Sequence, residues 1–258
     1  MILAIDVGNT NIVIGCLSKE NGTTLFEERL NTDHKKTSIE YAIAIKTILD
    51  IHNVKETDIC GAIMSSSVPP VTRQVRQGSE ILLKKPTLVV APGMKTGVDI
   101  KIDDPAALGA DLLVGAVAGI DNYGTPLILI DMGTATTISV IDNKSKFLGG
   151  MILPGVRVSL EGLTSHAAHL PDIAIEKPEK LINGTTVGSM QSGSIYGHAS
   201  CIDGMVERIW EELGYETTVV ATGGFAKLVI PCCKKKITVD NQLLIKGLYI
   251  LYKKNIRI

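Results

Sequence analysis

Two apolar runs of strand type, one at the start of the chain and one near its middle, end in the same polar pattern. The segment 2–11 is Ile-Leu-Ala-Ile-Asp-Val-Gly-Asn-Thr-Asn, and the segment 127–136 is Leu-Ile-Leu-Ile-Asp-Met-Gly-Thr-Ala-Thr. Another apolar run follows each turn directly, at 12–14 and at 138–141. The pattern predicts two β-hairpins with matching acidic, hydroxyl-rich turns.

Behind each hairpin, apolar residues recur at strand and helix spacing. The first half is predicted to contain a strand over 24–31, a helix over 39–52, a strand over 59–65, a helix ending near Leu83 and a strand over 86–90. An Ala-rich amphipathic helix over 105–119 leads into the second half. That half repeats the plan, with three strands within 127–152, helices over 156–169 and 189–213, a strand over 217–221 and a terminal helix over 242–254.

The repeated plan predicts an α/β fold with two domains, 1–118 and 119–258. Each domain would contain a mixed sheet, and the two would enclose an interdomain nucleotide cleft. A chain of 258 residues is long enough to bury two modest cores.

The residue types in the two turns favour phosphate binding. Gly8 and Gly133 let the backbone approach an anion without a Cβ in between, so successive N–H groups can point at phosphate oxygens. Asp6 and Asp131 would repel a bare phosphate and therefore need a cation, either Mg²⁺ or a monovalent ion. The turns also carry neutral donors, at Thr10, Asn11, Thr134 and Thr136. The two turns together predict the binding of a metal-bound nucleotide.

A simpler interpretation is that Asp and Gly only make tight hairpin turns, as in many β proteins. For either turn alone this interpretation is preferred. The repeat at equivalent places in the two halves favours nucleotide binding instead.

Composition excludes several classes of partner. A formal net charge of -1 offers no electrostatic basis for binding nucleic acid or an anionic membrane. The N-terminus enters a strand without the pattern of a signal peptide, and no later segment is expected to span a bilayer. Five cysteines that lack CxxC spacing indicate reduced, structural thiols. These features predict a cytoplasmic protein.

Several motifs spread over the chain carry a family resemblance. They are the turn 6–11, Ser66-Ser67-Val68-Pro69-Pro70, Gly109-Ala110-Asp111, the turn 131–137, Gly149-Gly150 with Pro154-Gly155, and Ala221-Thr222-Gly223-Gly224. Together they resemble the type III pantothenate kinases, from Met1 to about Tyr252. These enzymes belong to the superfamily of sugar kinases, actin and heat-shock chaperone ATPases. The resemblance implies two ribonuclease-H-like domains around a nucleotide cleft.

The resemblance also implies an activity, the phosphorylation of pantothenate by ATP as the first step of coenzyme A biosynthesis. Asp111 matches the catalytic base, which takes the proton from the primary hydroxyl of pantothenate as that oxygen attacks the γ-phosphoryl group. Asp6 would lie near Mg²⁺, through water, and Asp131 would bind a monovalent cation, K⁺ or NH₄⁺. The implied ATP contacts are Asp6, Val7, Gly8, Asn9, Thr10, Asn11, Ile12, Val13, Thr134, Thr222, Gly223 and Gly224. The implied substrate contacts are Gly109, Ala110, Asp111, Leu112 and Thr186, the last from the neighbouring subunit of a homodimer.

Three positions depart from the family pattern on the substrate side. Leu112 stands where the family has an arginine for the pantothenate carboxylate, Ile102 where many members have a tyrosine, and His166 where an arginine is common. Losing a charged hydrogen-bond partner costs on the order of 1.5–3 kcal/mol. A second hypothesis is therefore a substrate-shifted or catalytically silent paralogue. Such a chain would bind nucleotide and act as a partner or regulatory subunit, for example in a mixed dimer, and its acceptor could be a related hydroxy acid.

Two local alternatives stay open. Asp111 lies in an Ala-rich helix and could serve only to cap the first turn of that helix. His166 and His169 could share a helix face as a metal pair, although two ligands without a third acid or thiol make a weak site.

Overall fold

The computed structural model describes residues 1–256, and its first sheet is built around the N-terminal strand. The elements are β1 (Ile2–Val7), β2 (Asn11–Leu17), β3 (Thr24–Asn31), α1 (Ser38–Ile51), β4 (Gly61–Ser66), α2 (Pro69–Leu83) and β5 (Thr87–Val89). The strand order is β3-β2-β1-β4-β5. β1 pairs antiparallel with β2 and parallel with β4, so the sheet is mixed.

The second sheet repeats this plan and adds one edge strand. Its elements are β6 (Asp99–Ile100), α3 (Ala110–Tyr123), β7 (Leu127–Met132), β8 (Ala135–Ile141), β9 (Lys146–Pro154), α4 (Val156–His166), α5 (Thr186–Leu213), β10 (Thr218–Thr222), α6 (Ala226–Val229), β11 (Thr238–Val239) and α7 (Leu243–Asn255). The order is β11-β10-β7-β8-β9-β6, with β7 antiparallel to β8 and parallel to β10. The predicted α/β fold with two mixed sheets is confirmed, whereas the short strands β6 and β11 were not predicted.

Each central strand is buried on both faces, as expected for a strand covered by helices. In β1, Leu3, Ile5 and Val7 belong to a core with the apolar faces of α1 and α2. In β7, Ile128, Ile130 and Met132 pack in the equivalent core with α5. Alternation along each strand thus directs every second side chain to the same helices. Within residues 1–256, no helix combines the length and apolar character that crossing a bilayer requires.

The chain divides into two compact units. The first contains Met1–Val98, Asp103–Ala118 and the segment that starts at Gln242, and the second contains Asp99–Ile102 and Gly119–Asn241. The two units divide within α3, after Ala118. The terminal helix differs from the prediction, since it packs with the first unit and not with the second.

The terminal helix α7 docks on the first sheet through two positions without side chains. A Cβ on Gly15 of β2 would lie 2.6 Å from Ile245 Cγ2. A Cβ on Gly61 of β4 would collide with the Tyr252 hydroxyl. Leu248 is fully buried beside them. The glycines therefore form notches in the sheet that accept the α7 side chains.

Candidate functional site

The first predicted phosphate loop is the turn between β1 and β2. The Gly8 N–H donates to the Asn11 carbonyl at 3.0 Å, which closes the turn. Thr32, just after β3, donates its hydroxyl to the Gly8 carbonyl at 2.6 Å and its N–H to the Thr10 carbonyl at 3.0 Å. The Asn9 and Thr10 tip is exposed. The turn is thus braced from β3 while its tip faces solvent.

The other residues of this predicted site differ in what they can offer a ligand. Val7 and Ile12 are fully buried in the core of the first unit, so only their backbone could contact a nucleotide. Asn11 and Val13 are half-buried in β2. The polar side chains that the turn can offer a ligand are therefore Asn9 and Thr10 at its tip and Asp6 at its base.

Asp6 lies at the base of this turn, one residue before the end of β1. It pairs in register with Ser65 of the parallel strand β4, and the Ser65 hydroxyl donates to Asp6 Oδ1 at 2.6 Å. Burial raises the pKa of Asp6 to about 6, and the Asp111 carboxylate raises it further, whereas the Ser65 hydrogen bond and the Arg29 charge act in the opposite direction. Asp6 is therefore a half-buried carboxylate that carries a proton more readily than an ordinary aspartate.

Asp111 lies in the first turn of α3, within the first unit. Its Oδ1 accepts from the Leu112 N–H at 2.9 Å, so it satisfies one of the open amides of the helix start, as the capping alternative expects. It is also close enough to Asp6 to raise the pKa of that carboxyl. Both carboxylates therefore belong to one local site, although they are far apart in the sequence. Leu112, beside them, is half-buried and has no charge to offer.

The second predicted phosphate loop is the turn between β7 and β8. The Gly133 N–H donates to the Ala135 carbonyl at 3.0 Å, and the Gly155 N–H donates to the Thr134 carbonyl at 3.1 Å. A Cβ on Gly155 would collide with the Thr134 carbonyl oxygen and lie 2.5 Å from the Gly133 carbonyl oxygen. The start of α4 is therefore held directly against this loop.

Thr136 follows this loop in β8. It is 3% exposed, and its hydroxyl has no hydrogen-bond partner among residues 1–256. The sequence suggested a donor at this position, but the hydroxyl is enclosed and not presented to solvent.

The segment 222–224, predicted to bind the adenosine side, lies against the same loop. Thr222 pairs in register with Asp131 across the parallel strands β10 and β7. Gly223 has φ +95°, and a Cβ there would lie 2.5 Å from Asp131 Oδ1 and 2.6 Å from Met132 N. Only glycine fits this conformation at this distance. The second unit thus brings together Asp131, Thr134 and the 222–224 segment.

Thr186, predicted to reach the substrate, lies elsewhere in the second unit, at the start of α5. It is exposed and lines a surface groove of about 630 Å³ between α4 and α5. Thr185 caps the helix by accepting from the Gly188 N–H at 3.1 Å. Leu163, at 47% exposure, lines the same groove. The site is therefore a polar helix start beside an apolar wall.

The remaining substrate-side positions are also in the second unit. Ile102 follows β6 and lies beside Gly149 of β9. His166 ends α4, exposed, with Nδ1 at 2.9 Å from the Gly162 carbonyl. His169 is exposed beyond it. Over residues 1–256, no three His, Cys, Asp or Glu side chains are grouped in a way that could hold a metal ion.

Sequence reasoning assigned no role to Ser65, Thr32 or Arg29, which support the first loop and its carboxylate. A signal for Ser65 existed, because this hydroxyl residue ends the buried apolar strand predicted over 59–65. Thr32 and Arg29 offered no such signal, because their contacts depend on how β3 pairs.

Comparison with known families and curated proteins gives a consistent result. The family described as type III pantothenate kinase matches residues 2–208. A type III pantothenate kinase of Bacillus cytotoxicus is 45% identical over 255 residues, which cover 99% of this chain and 97% of that protein.

Solved structures with far lower identity share the fold. A protein described as a Baf family transcriptional activator, from Campylobacter jejuni, has a TM-score of 0.57 at 18% identity, covering 98% of each chain. The activator of the 2-hydroxyisocaproyl-CoA dehydratase from Clostridium difficile, solved with bound ADPNP, has a TM-score of 0.53 at 12% identity, covering 97% of this chain and 93% of that one. The predicted ribonuclease-H-like fold is confirmed.

Proposed function

Because the chain belongs to the type III pantothenate kinase family, we propose that it transfers the γ-phosphoryl group of ATP to the primary hydroxyl of pantothenate, the first step of coenzyme A biosynthesis. The observation that carries the proposal is the pair of carboxylates in the first unit, Asp6 below the phosphate loop and Asp111 at the start of α3. Phosphoryl transfer needs an anchored polyphosphate and a base for the attacking hydroxyl. Asp6 fits the first role through a bound cation, and Asp111 fits the second.

Each loop has a part in holding ATP. The first loop, Asp6 to Val13, would contact phosphate through backbone groups and the exposed Asn9 and Thr10 tip. In the second unit, Thr134 would contact phosphate and the 222–224 segment the nucleoside. The glycine backbone at Gly223 leaves a flat surface there, because a side chain has no room at this position.

Asp6 and Asp131 fit the two cations implied by the family. Asp6 is a half-buried carboxylate whose pKa is raised mainly by burial, so a cation there would be favourable. Mg²⁺ held there would neutralise charge on the phosphate oxygens. Asp131, with the carbonyl-rich turn beside it, would hold K⁺ or NH₄⁺.

Asp111 acts as the general base. Its Oδ1 is engaged by the Leu112 N–H, which fixes the orientation of the carboxylate. We assign proton acceptance from the pantothenate hydroxyl to Oδ2. The capping contact and the catalytic role are therefore compatible, because each uses a different oxygen.

A homodimer is part of the proposal. Around Thr186 the second unit exposes large apolar side chains that water covers poorly, including Ile182 at 86% and Leu181 at 61% exposure. A second copy covering this surface would bring its own Thr186 to the substrate of its partner. The five free cysteines and the use of ATP support residence in the cytoplasm.

The direct test is a coupled assay of ADP release with ATP, Mg²⁺, K⁺ and pantothenate. We expect turnover by the wild type and a loss of about 10²–10⁴-fold in kcat for Asp111→Asn. Asparagine still accepts from the Leu112 N–H, so this variant separates the base from the cap. Absence of wild-type turnover at millimolar pantothenate contradicts the proposal. ATP binding is measured separately by calorimetry.

Leu112 supports a second candidate function, that of a substrate-shifted or catalytically silent paralogue that binds nucleotide and acts as a partner or regulatory subunit. No cation stands at this position to meet the pantothenate carboxylate. The variant Leu112→Arg distinguishes the two functions. A gain of pantothenate turnover in this variant, with weak wild-type activity, supports the second candidate. Equal activity of both proteins contradicts it.

A further inference from the structure

Arg157 lies close to the second phosphate loop, because the main chain just before it is hydrogen-bonded to that loop. Gly155, two residues before it, donates its N–H to the Thr134 carbonyl at 3.1 Å and has no room for a side chain against that loop. Ser159 then donates its N–H to the Gly155 carbonyl at 2.9 Å, within the first turn of α4. Arg157 is therefore held on a rigid helical turn whose start touches the loop.

Phe225 is anchored to the end of β7, directly before the same loop. Its N–H donates to the Met132 carbonyl at 3.3 Å, and it directly follows the 222–224 segment. The Arg157 guanidinium carbon lies 5.8 Å from the centre of the Phe225 ring. A planar guanidinium is stabilised over an aromatic face at this distance. The ring therefore holds the cation beside both the Thr134 loop and the 222–224 segment.

The charge of Arg157 is not neutralised by any acid among residues 1–256. Arg157 is exposed, and the ion pairs formed among residues 1–256 do not include it. An arginine that only stabilised the fold would be expected to have a carboxylate partner or a buried stem. A guanidinium fork without a partner, beside a phosphate loop, is suited to bind phosphate oxygens.

We propose that Arg157, positioned by Phe225, binds the polyphosphate of ATP at the second loop. This inference rests on the proposed function, because it deepens the nucleotide site of that function. Arg157 would add a cation beside the loop and the 222–224 segment. It would bind ground state and transition state alike, so its loss should raise KM for ATP and change kcat little.

The test compares the binding of a nucleotide, ADP, with that of its uncharged nucleoside, adenosine. Binding of ADP and of adenosine is measured by calorimetry and by competition for wild type, Arg157→Ala, Arg157→Lys and Phe225→Leu. We expect Arg157→Ala to weaken ADP binding about tenfold and to leave adenosine binding unchanged. Arg157→Lys should recover part of the affinity, because it keeps the charge without the fork. Phe225→Leu should weaken ADP binding about twofold to fivefold.

Two further measurements decide the outcome. Arg208→Ala, at an exposed arginine on α5, is the matched control and should bind ADP like the wild type. In 1 M salt the difference between wild type and Arg157→Ala should shrink, because screening weakens the charge interaction. Wild-type affinity for ADP in Arg157→Ala overturns this inference alone, and so does an equal loss of adenosine and ADP binding. Absence of ADP binding by the wild type contradicts the proposed function itself.

Discussion

The two hairpin turns have the same sequence pattern but are supported by different physical means. The first, 8–11, is held by hydrogen bonds from side chains, with Thr32 on the Gly8 carbonyl and Ser65 on Asp6. The second, 133–135, is held by close contact with the backbone of Gly155 and Gly223. Substitution of a supporting residue of the first turn removes a hydrogen bond. Substitution of a supporting glycine of the second turn adds atoms where there is no space.

Two turns with the same sequence motif can therefore be stabilised by different neighbouring residues. Hydrogen bonds between side chains are modest in net energy, at about 0.5–1.5 kcal/mol for neutral groups. Overlap with backbone atoms cannot be relieved by turning a side chain, and it costs more. We therefore expect the second turn to tolerate substitution of its supporting residues less well than the first.

The largest expected effect is that of Gly223→Ala. The added Cβ would lie 2.5 Å from Asp131 Oδ1 and 2.6 Å from Met132 N, at φ +95°, so we expect a loss of stability of about 3 kcal/mol or more. The equivalent change in the first turn, Gly8→Ala, places a Cβ 3.1 Å from the Asn11 carbonyl oxygen and should cost about 1 kcal/mol. Urea unfolding midpoints of the two variants measure the difference. Equal costs would contradict the contrast between the turns.

The next effect concerns the charge of Asp6. Its pKa is raised to about 6 from 3.8, so the folded state binds the proton more tightly than the unfolded state does. Stability therefore falls as pH rises from about 4 to about 6, by on the order of 2–3 kcal/mol in total, and is level above. Asparagine does not ionise, so the stability of Asp6→Asn should not fall in this way, and the variant should be more stable than the wild type at pH 8.

The measurement is the free energy of unfolding of both proteins from pH 4 to pH 8. The difference between them should be close to zero near pH 4 and should grow to its full size above pH 6. A difference that does not depend on pH would show that the folded protein does not destabilise the Asp6 carboxylate.

A smaller effect is expected for Ser65→Ala. The Ser65 hydroxyl lowers the pKa of Asp6 through its hydrogen bond, so its removal should move the acid limb of kcat/KM for ATP to higher pH. Loss of a hydrogen bond to a carboxylate should also cost about 1.5 kcal/mol at pH 8. Ser67→Ala, where the hydroxyl lies 3.4 Å from the Val7 carbonyl, is the control and should leave the limb in place. If the acid limb of kcat/KM does not move in Ser65→Ala, the titration of Asp6 does not cause that limb.

The smallest effect is expected for Thr32→Val. The variant loses the 2.6 Å hydrogen bond to the Gly8 carbonyl and keeps the shape of the side chain, so it should cost about 1 kcal/mol. Thr23→Val, at an exposed position before β3, serves as the control. Thermal unfolding compares the two, and an equal cost would mean that Thr32 does not support the turn.

The sequence predicted the local elements well because each has its own periodic signal. The strand over 24–31 was predicted with its observed bounds, and the helix predicted to end near Leu83 ends at that residue. The strand β6 could not be predicted, because two residues, Asp99–Ile100, hold no period and depend on pairing with β9.

The location of the terminal helix could not be predicted either. Amphipathic spacing predicts that α7 is a helix but not which sheet it covers. The signal was in the strands, where Gly15 and Gly61 interrupt otherwise apolar runs and leave room for a neighbour. The roles assigned to the site residues came from family resemblance, and only the local neighbourhoods of Asp6 with Asp111 and of Asp131 with Gly223 follow from the structure.

Docking of α7 on β1 and β4 also orders the events of synthesis. The ribosome delivers β1 before α7, so the notches at Gly15 and Gly61 stay uncovered until translation passes Gln242. The second unit is complete by then, because its last residue is Asn241. A chain that ends early would leave an apolar sheet face in water, which favours aggregation or capture by chaperones. The late docking of α7 thus gives the cell a means of distinguishing chains that contain this helix from chains that end before it.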